Sequence, residues 1–126
     1  MVLVCDCTDA TASGDTTETL LGTITLPANA KRIVGVGVGS PSTATLTTLE
    51  AMTGYFRVEC SSIDVTPGKF PVTGPNIVGT GGTFAPFKIW PVDWSPAANA
   101  QLTFYITMDM AQTANPTYRG FVLYEK

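Results

Sequence analysis

The sequence has no histidine, few charged residues (13%) and very little of the Lys, Glu and Gln vocabulary that favours helices. Without an imidazole the chain lacks the usual general base, the Ser-His and Cys-His nucleophile systems and any His-containing metal site. Cysteine is also scarce. Cys5 and Cys7 stand two apart, where a strand puts both on one face and a bridge between them is strained, and Cys60 is distant from both. Nothing has the two-residue gap of a zinc pair, and a fourth thiolate is missing. Free thiols, buried or semi-buried and made in a reducing compartment, are the expectation. Long apolar runs are absent too: no stretch reaches the roughly 18 residues of a membrane helix, and the start Met1-Val2-Leu3-Val4-Cys5-Asp6 lacks the basic and apolar regions of a signal peptide. The net charge of −3, with the seven basic residues scattered apart from Lys31-Arg32, argues against nucleic acid as the main partner.

What is present is a vocabulary of strands and turns: abundant Thr, twelve Gly and nine Pro in 126 residues. This length suits a single domain, residues 1–126, that can bury one core. A short opening strand, Val2 to Cys7, precedes residues 8–19, which hold no apolar side chain larger than Ala and read as an arm or loop. Alternation then places Leu20, Gly22, Ile24 and Leu26 on one face of a strand, with Leu21, Thr23 and Thr25 on the other. From Arg32 to Gly39, Val34, Val36 and Val38 take one side; Ile33, Gly35, Gly37 and Gly39 take the other. A bare glycine face implies close approach by an aromatic of this chain, a neighbouring sheet or another subunit. Leu46, Leu49 and Met52 recur every three residues, so Leu49-Glu50-Ala51-Met52 reads as a helical turn or a strand. Tyr55 to Cys60 alternates as a strand.

Residues 62–86 are rich in turn signals. A strand from Phe84 to Val92 follows, with Trp90 and Trp94 flanking Pro91, where they either cap the core or mark an interface. Leu102 to Met110 alternates clearly. So does Tyr118 to Glu125, whose two faces are both apolar, as expected of a strand that is central or covered from outside. Pro27-Ala28-Asn29-Ala30 and Pro96-Ala97-Ala98-Asn99-Ala100 each precede a strong strand and read as recurrent turn chemistry. About seven or eight strands without a crossover helix make an all-β, antiparallel two-sheet sandwich of immunoglobulin-like or jelly-roll winding, with the jelly roll preferred.

Chemistry is thinly represented. Glu50, Glu59, Asp64, Asp93 and Asp109 are the carboxylates available to a glycosidase-like pair, but Glu59 and Asp109 lie on polar strand sides. Gly79-Thr80-Gly81-Gly82-Thr83 precedes Phe84 and Pro86 rather than a phosphate-binding helix. Asp6, Asp9, Asp15 and Glu18 match no EF-hand spacing. The expectation is a non-enzyme with no catalytic residues, cofactor, metal or small-molecule substrate.

A Thr-rich N-terminal arm, His-free sandwich strands, Pro and Gly in the connections and a strong closing strand pair, Leu102 to Met110 and Tyr118 to Tyr124, resemble the small single jelly-roll capsid and cement proteins of icosahedral viruses. The resemblance is one of general character along the chain. It implies a structural protein that self-assembles with its own copies and with other capsid proteins, in a virion assembled in the host cytoplasm. Gly35, Gly37, Trp90, Trp94, Phe121 and Leu123 are the candidate subunit-interface residues. The alternative is a carbohydrate-binding β-sandwich that stacks sugars on Tyr55, Trp90 and Trp94.

Overall fold

The computed structural model describes residues 2–9, 11–12, 16–39, 54–66, 68–72, 88–109 and 117–126. These contain β1 (Leu3–Cys7), β2 (Thr11–Ala12), β3 (Thr19–Thr25), β4 (Arg32–Gly39), β5 (Gly54–Cys60), β6 (Ile63–Asp64), β7 (Phe70–Pro71), β8 (Trp90–Trp94), β9 (Gln101–Met108) and β10 (Thr117–Glu125). The helical turn considered at Leu49–Met52 and the glycine run at 79–83 lie outside the described residues.

Two sheets form, with strand orders β1-β10-β4-β8 and β3-β9-β5-β6; β2 extends the first along β10 and β7 extends the second along β5. Every pairing among the described strands is antiparallel. The connectivity has a simple logic. β1 pairs with β10, β3 with β9, β4 with β8, and β5 with the β6 and β7 segments, which is a long ribbon folded at its middle. The ribbon is then rolled so that β10 meets β4 and β9 meets β5. This is the jelly-roll winding, and β6 and β7 together occupy one position in it. Their registers against β5 differ by three residues (Asp64 faces Glu59, whereas Phe70 faces Phe56), so a bulge interrupts this edge.

The core lies between the sheets. Phe104 and Ile106 of β9, Phe56 and Val58 of β5, Val36 and Val38 of β4, and Tyr118 and Val122 of β10 are all buried. Phe104 fits because β10 carries Gly120 opposite it: a Cβ there would lie 2.6 Å from the ring. The two Pro-Ala turns also sit together. Ala30 N donates to Pro27 O at 3.1 Å, Ala100 N to Ala97 O at 3.2 Å, and Leu26 N to Ala100 O at 2.9 Å, so both terminal alanines are buried.

Two faces differ from strict alternation, for one reason. A register shift between Leu20 and Gly22 turns Leu21 into the core and leaves Leu20 at 55% exposure. A second shift, where β10 passes from Leu123 to Tyr124, leaves Val34 of β4 unpaired and puts Ile33 into the core with Val36 and Val38, while Val34 is only half-buried. Each bulge inserts one unpaired residue and reverses the facing of what precedes it. Part of the 8–19 segment lies in the sheet: β2 pairs with Thr117 and Tyr118. Thr8 is buried; its amide donates to Gly120 O at 2.9 Å, and its Oγ1 accepts from Gly120 N at 3.0 Å.

Candidate functional site

Directly opposed residues of an antiparallel pair share a face, so register alone maps the outside of the β1-β10-β4-β8 sheet. One row runs Cys7, Phe121, Gly37; the next runs Cys5, Leu123, Gly35, Pro91. Leu3, 57% exposed, continues this surface beside Glu125. Phe121 and Leu123 are half-buried, and Cys5 and Cys7 are exposed free thiols. The surface is therefore built from apolar side chains, sulfur and bare backbone. Charge enters at the two ends of β10, where Arg119 opposes Gly39 and Glu125 opposes Leu3, and at the edge, where Arg32 Nε meets Asp93 Oδ1 at 2.8 Å.

The close approach expected at the glycines comes from this same chain, though not from an aromatic. The position of a Cβ on Gly37 lies 2.5 Å from Lys88 O, and that of a Cβ on Gly35 lies 2.5 Å from Ile89 Cγ2. The segment leading into β8 thus rests on the glycines, and both are buried. Of the six candidate interface residues, Gly35, Gly37, Phe121 and Leu123 share the outer face. Trp90 and Trp94 do not: they oppose Val36 and Ile33, pointing inward, and pack against the core. Trp90 stacks on Phe70 of the other sheet with centroids 5.3 Å apart, and Phe70 meets Phe56 edge-on at 5.8 Å, so the tryptophans close one side of the sandwich. Tyr55 opposes Thr107 and Pro71 on the other sheet's outer face. The three aromatics of the carbohydrate-binding alternative therefore do not form one platform.

The outside of the β3-β9-β5 sheet is polar. Rows of Thr23, Thr103 and Glu59 and of Leu20, Tyr105 and Arg57 cross it. Arg57 is its centre: the guanidinium lies 4.3 Å over the Tyr105 ring and bonds to Glu18, Glu59 and, at 3.2 Å, Asp64. The bonds from Glu18 and then Glu59 hold its pKa above the ordinary arginine range. Lys69 Nζ donates to Tyr55 Oη at 3.3 Å and covers that ring at 4.3 Å. Beside them is an open groove of about 500 Å³ lined by Arg57, Asp64, Thr66, Gly68 and Lys69.

Of the carboxylates considered for catalysis, Glu59 and Asp64 are salt-bridged by Arg57 and Asp93 by Arg32, while Asp109 is exposed after the end of β9. Glu50 and Asp15 lie outside the described residues. Among those described, no group of three or more His, Cys, Asp or Glu side chains could hold a metal ion, and no helix is long and apolar enough to cross a membrane. Period-two spacing of Leu3, Cys5 and Cys7 was the available signal that β1 adds to the apolar face. Nothing local in the sequence joins Glu18 to Arg57, 39 positions away. Compared with protein-family models, curated proteins and solved structures, the chain matches none.

Proposed function

We propose that this chain is a non-catalytic structural subunit that assembles with copies of itself, as a capsid or capsid-cement protein of a virion put together in the host cytoplasm. One observation carries the reading: β10 is flanked on both sides and still turns Leu123 outward, onto a surface that extends through exposed Cys5, Cys7 and Leu3. A contiguous apolar face of this kind is buried when a partner covers it. The opposite face has its central cation matched to three carboxylates, and Leu20 is the exposed aliphatic among the described residues of its rows. Free thiols at Cys5 and Cys7 suit a reducing site of synthesis.

Light scattering after size exclusion, followed by electron microscopy, tests the proposal. The wild-type protein is expected as an oligomer that forms rings or shells. The Phe121→Lys/Leu123→Lys variant is expected to lose the rings and shells with unchanged β circular dichroism, because half-buried surface side chains are replaced without touching the core. A wild-type monomer at micromolar concentration, or a double variant that assembles as well as the wild type, overturns the reading.

A further inference from the structure

The free edge of β1 specifies how two copies can join. Val2 N donates to Lys126 O at 3.0 Å and Thr8 N to Gly120 O at 2.9 Å, and Val2 O accepts from Lys126 N at 2.9 Å. No register shift intervenes along β1. The even-numbered residues therefore turn their backbone groups toward β10, and those of Leu3, Cys5 and Cys7 point away from it. Among the described residues no strand pairs with that side. Only the Cys7 amide has a partner there, the exposed Asp6 Oδ1 at 2.8 Å. A charged side chain folded onto an edge amide is a familiar guard against edge pairing, and here it covers one donor while the Leu3 and Cys5 amides stay open.

We propose that β1 pairs antiparallel with β1 of a second copy about a two-fold axis at Cys5, joining the two β1-β10-β4-β8 sheets into one. The inference rests on the self-assembly reading and adds to the contact through the face a second one, through the strand edge. Outward-facing residues must oppose outward-facing residues, which leaves five centres along this strand, Leu3 to Cys7. An axis at Leu3 or Cys7 sets that residue against its own copy and carries the other outward residues past the end of the strand. An axis at Asp6 sets Asp6 against its own copy, and like charges directly opposed destabilise a strand pair. An axis at Val4 pairs only Leu3 with Cys5. An axis at Cys5 pairs Leu3 with Cys7 of the partner subunit, Cys5 with Cys5 of the partner subunit and Cys7 with Leu3 of the partner subunit. All three outward residues are then used, and the Cys7 amide exchanges Asp6 for a backbone carbonyl. The side chains of Leu3, Cys5 and Cys7 share the outer face, so the apolar surface runs unbroken across the junction.

The axis makes a prediction about thiols. In a hydrogen-bonded antiparallel pair the Cα atoms lie about 5.5 Å apart, within the span a disulfide bridges; Cys7 faces Leu3 and has no thiol opposite. The full chain is treated with a diazene oxidant such as diamide, which takes the two protons and two electrons that two thiols release and becomes the hydrazine. Partial burial, with Cys7 and Asp6 nearby, pushes the Cys5 thiol pKa up, so the reaction is run at mildly alkaline pH. The Cys7→Ser variant, which keeps Cys5, is expected to give a covalent dimer on a non-reducing gel, and Cys5→Ser is expected to lose that band; Cys60 is buried and remains in both. Light scattering before oxidation separates the possible failures. If the unoxidised protein is oligomeric and Cys5 fails to cross-link, or Cys7 cross-links equally well, edge pairing at Cys5 is overturned while self-assembly stands. If the unoxidised protein is a monomer, both are overturned.

Discussion

On the outside of the β3-β9-β5 sheet every formal charge at the centre has a counter-charge within reach, and the two tyrosine rings are covered by Arg57 and Lys69. On the outside of the β1-β10-β4-β8 sheet the middle is Phe121, Leu123 and glycine backbone, and the ion pair is at the rim. Both sheets bury the same classes of aliphatic and aromatic side chain inward, so the need for a core does not explain the difference. The polar face is finished by its own side chains and by water. The other is covered at its glycines by Lys88 and Ile89, and among the described residues no such segment lies on β1. Local cover from the same chain thus finishes one part of this face, and the proposed self-assembly is what would cover the other.

The largest expected stability change sits where the chain covers itself. Gly37→Ala places a methyl 2.5 Å from the Lys88 carbonyl, a backbone atom that cannot rotate away. We expect a loss of about 1–3 kcal/mol, the range of an overpacked site, read from the urea midpoint. The matched change on the polar face, Thr103→Val, should stay within about 0.5 kcal/mol, as surface substitutions do. Equal effects would mean that the two faces are not covered differently.

Next in size is the centre of the polar face. Arg57→Gln leaves Glu18, Glu59 and Asp64 without their shared cation, and because these groups are largely solvent-accessible the expected loss is about 1 kcal/mol. Salt screens both the lost attraction and the new repulsion among the carboxylates, so the difference between variant and wild type should shrink as sodium chloride is raised. A difference that does not depend on salt would assign the role of Arg57 to its packing on Tyr105 rather than to charge.

Much of this architecture is legible in alternation. The spans expected for Arg32 to Gly39 and Tyr55 to Cys60 agree with β4 and β5 to within a residue, and the double-sided last strand is central, between β1 and β4. Facing is less legible than location, because a bulge is a property of pairing: Leu20 and Leu21 are equally apolar, and only the shifted register against β9 decides which is buried. The tryptophans show the same limit. Period two puts Trp90 and Trp94 on one face of β8, but their opposition to Val36 and Ile33 is what makes that face the inner one. The polar cluster was legible only as Arg57 beside Glu59, since Glu18 and Asp64 are brought in by the winding of the ribbon and by the turn after β5.

That turn is where the polar face can be sharpened most gently. Ser61 and Ser62 connect β5 to β6 with φ of 51° and 70°, the left-handed pair that a two-residue hairpin requires and that Asn-Gly adopts most readily. Serine holds this backbone at a cost that glycine does not incur. Against that gain, glycine gives the unfolded chain more freedom, which takes back part of it. Ser62→Gly should therefore stabilise by only about 0.5 kcal/mol, measured as a rise in the urea midpoint. The turn presents Asp64 to Arg57, so the same change made in the Arg57→Gln background should give the same increment if it acts through backbone strain alone. A smaller increment there would show that the hairpin and the ion cluster are coupled, as groups that share partners are, and that the polar face is one cooperative unit.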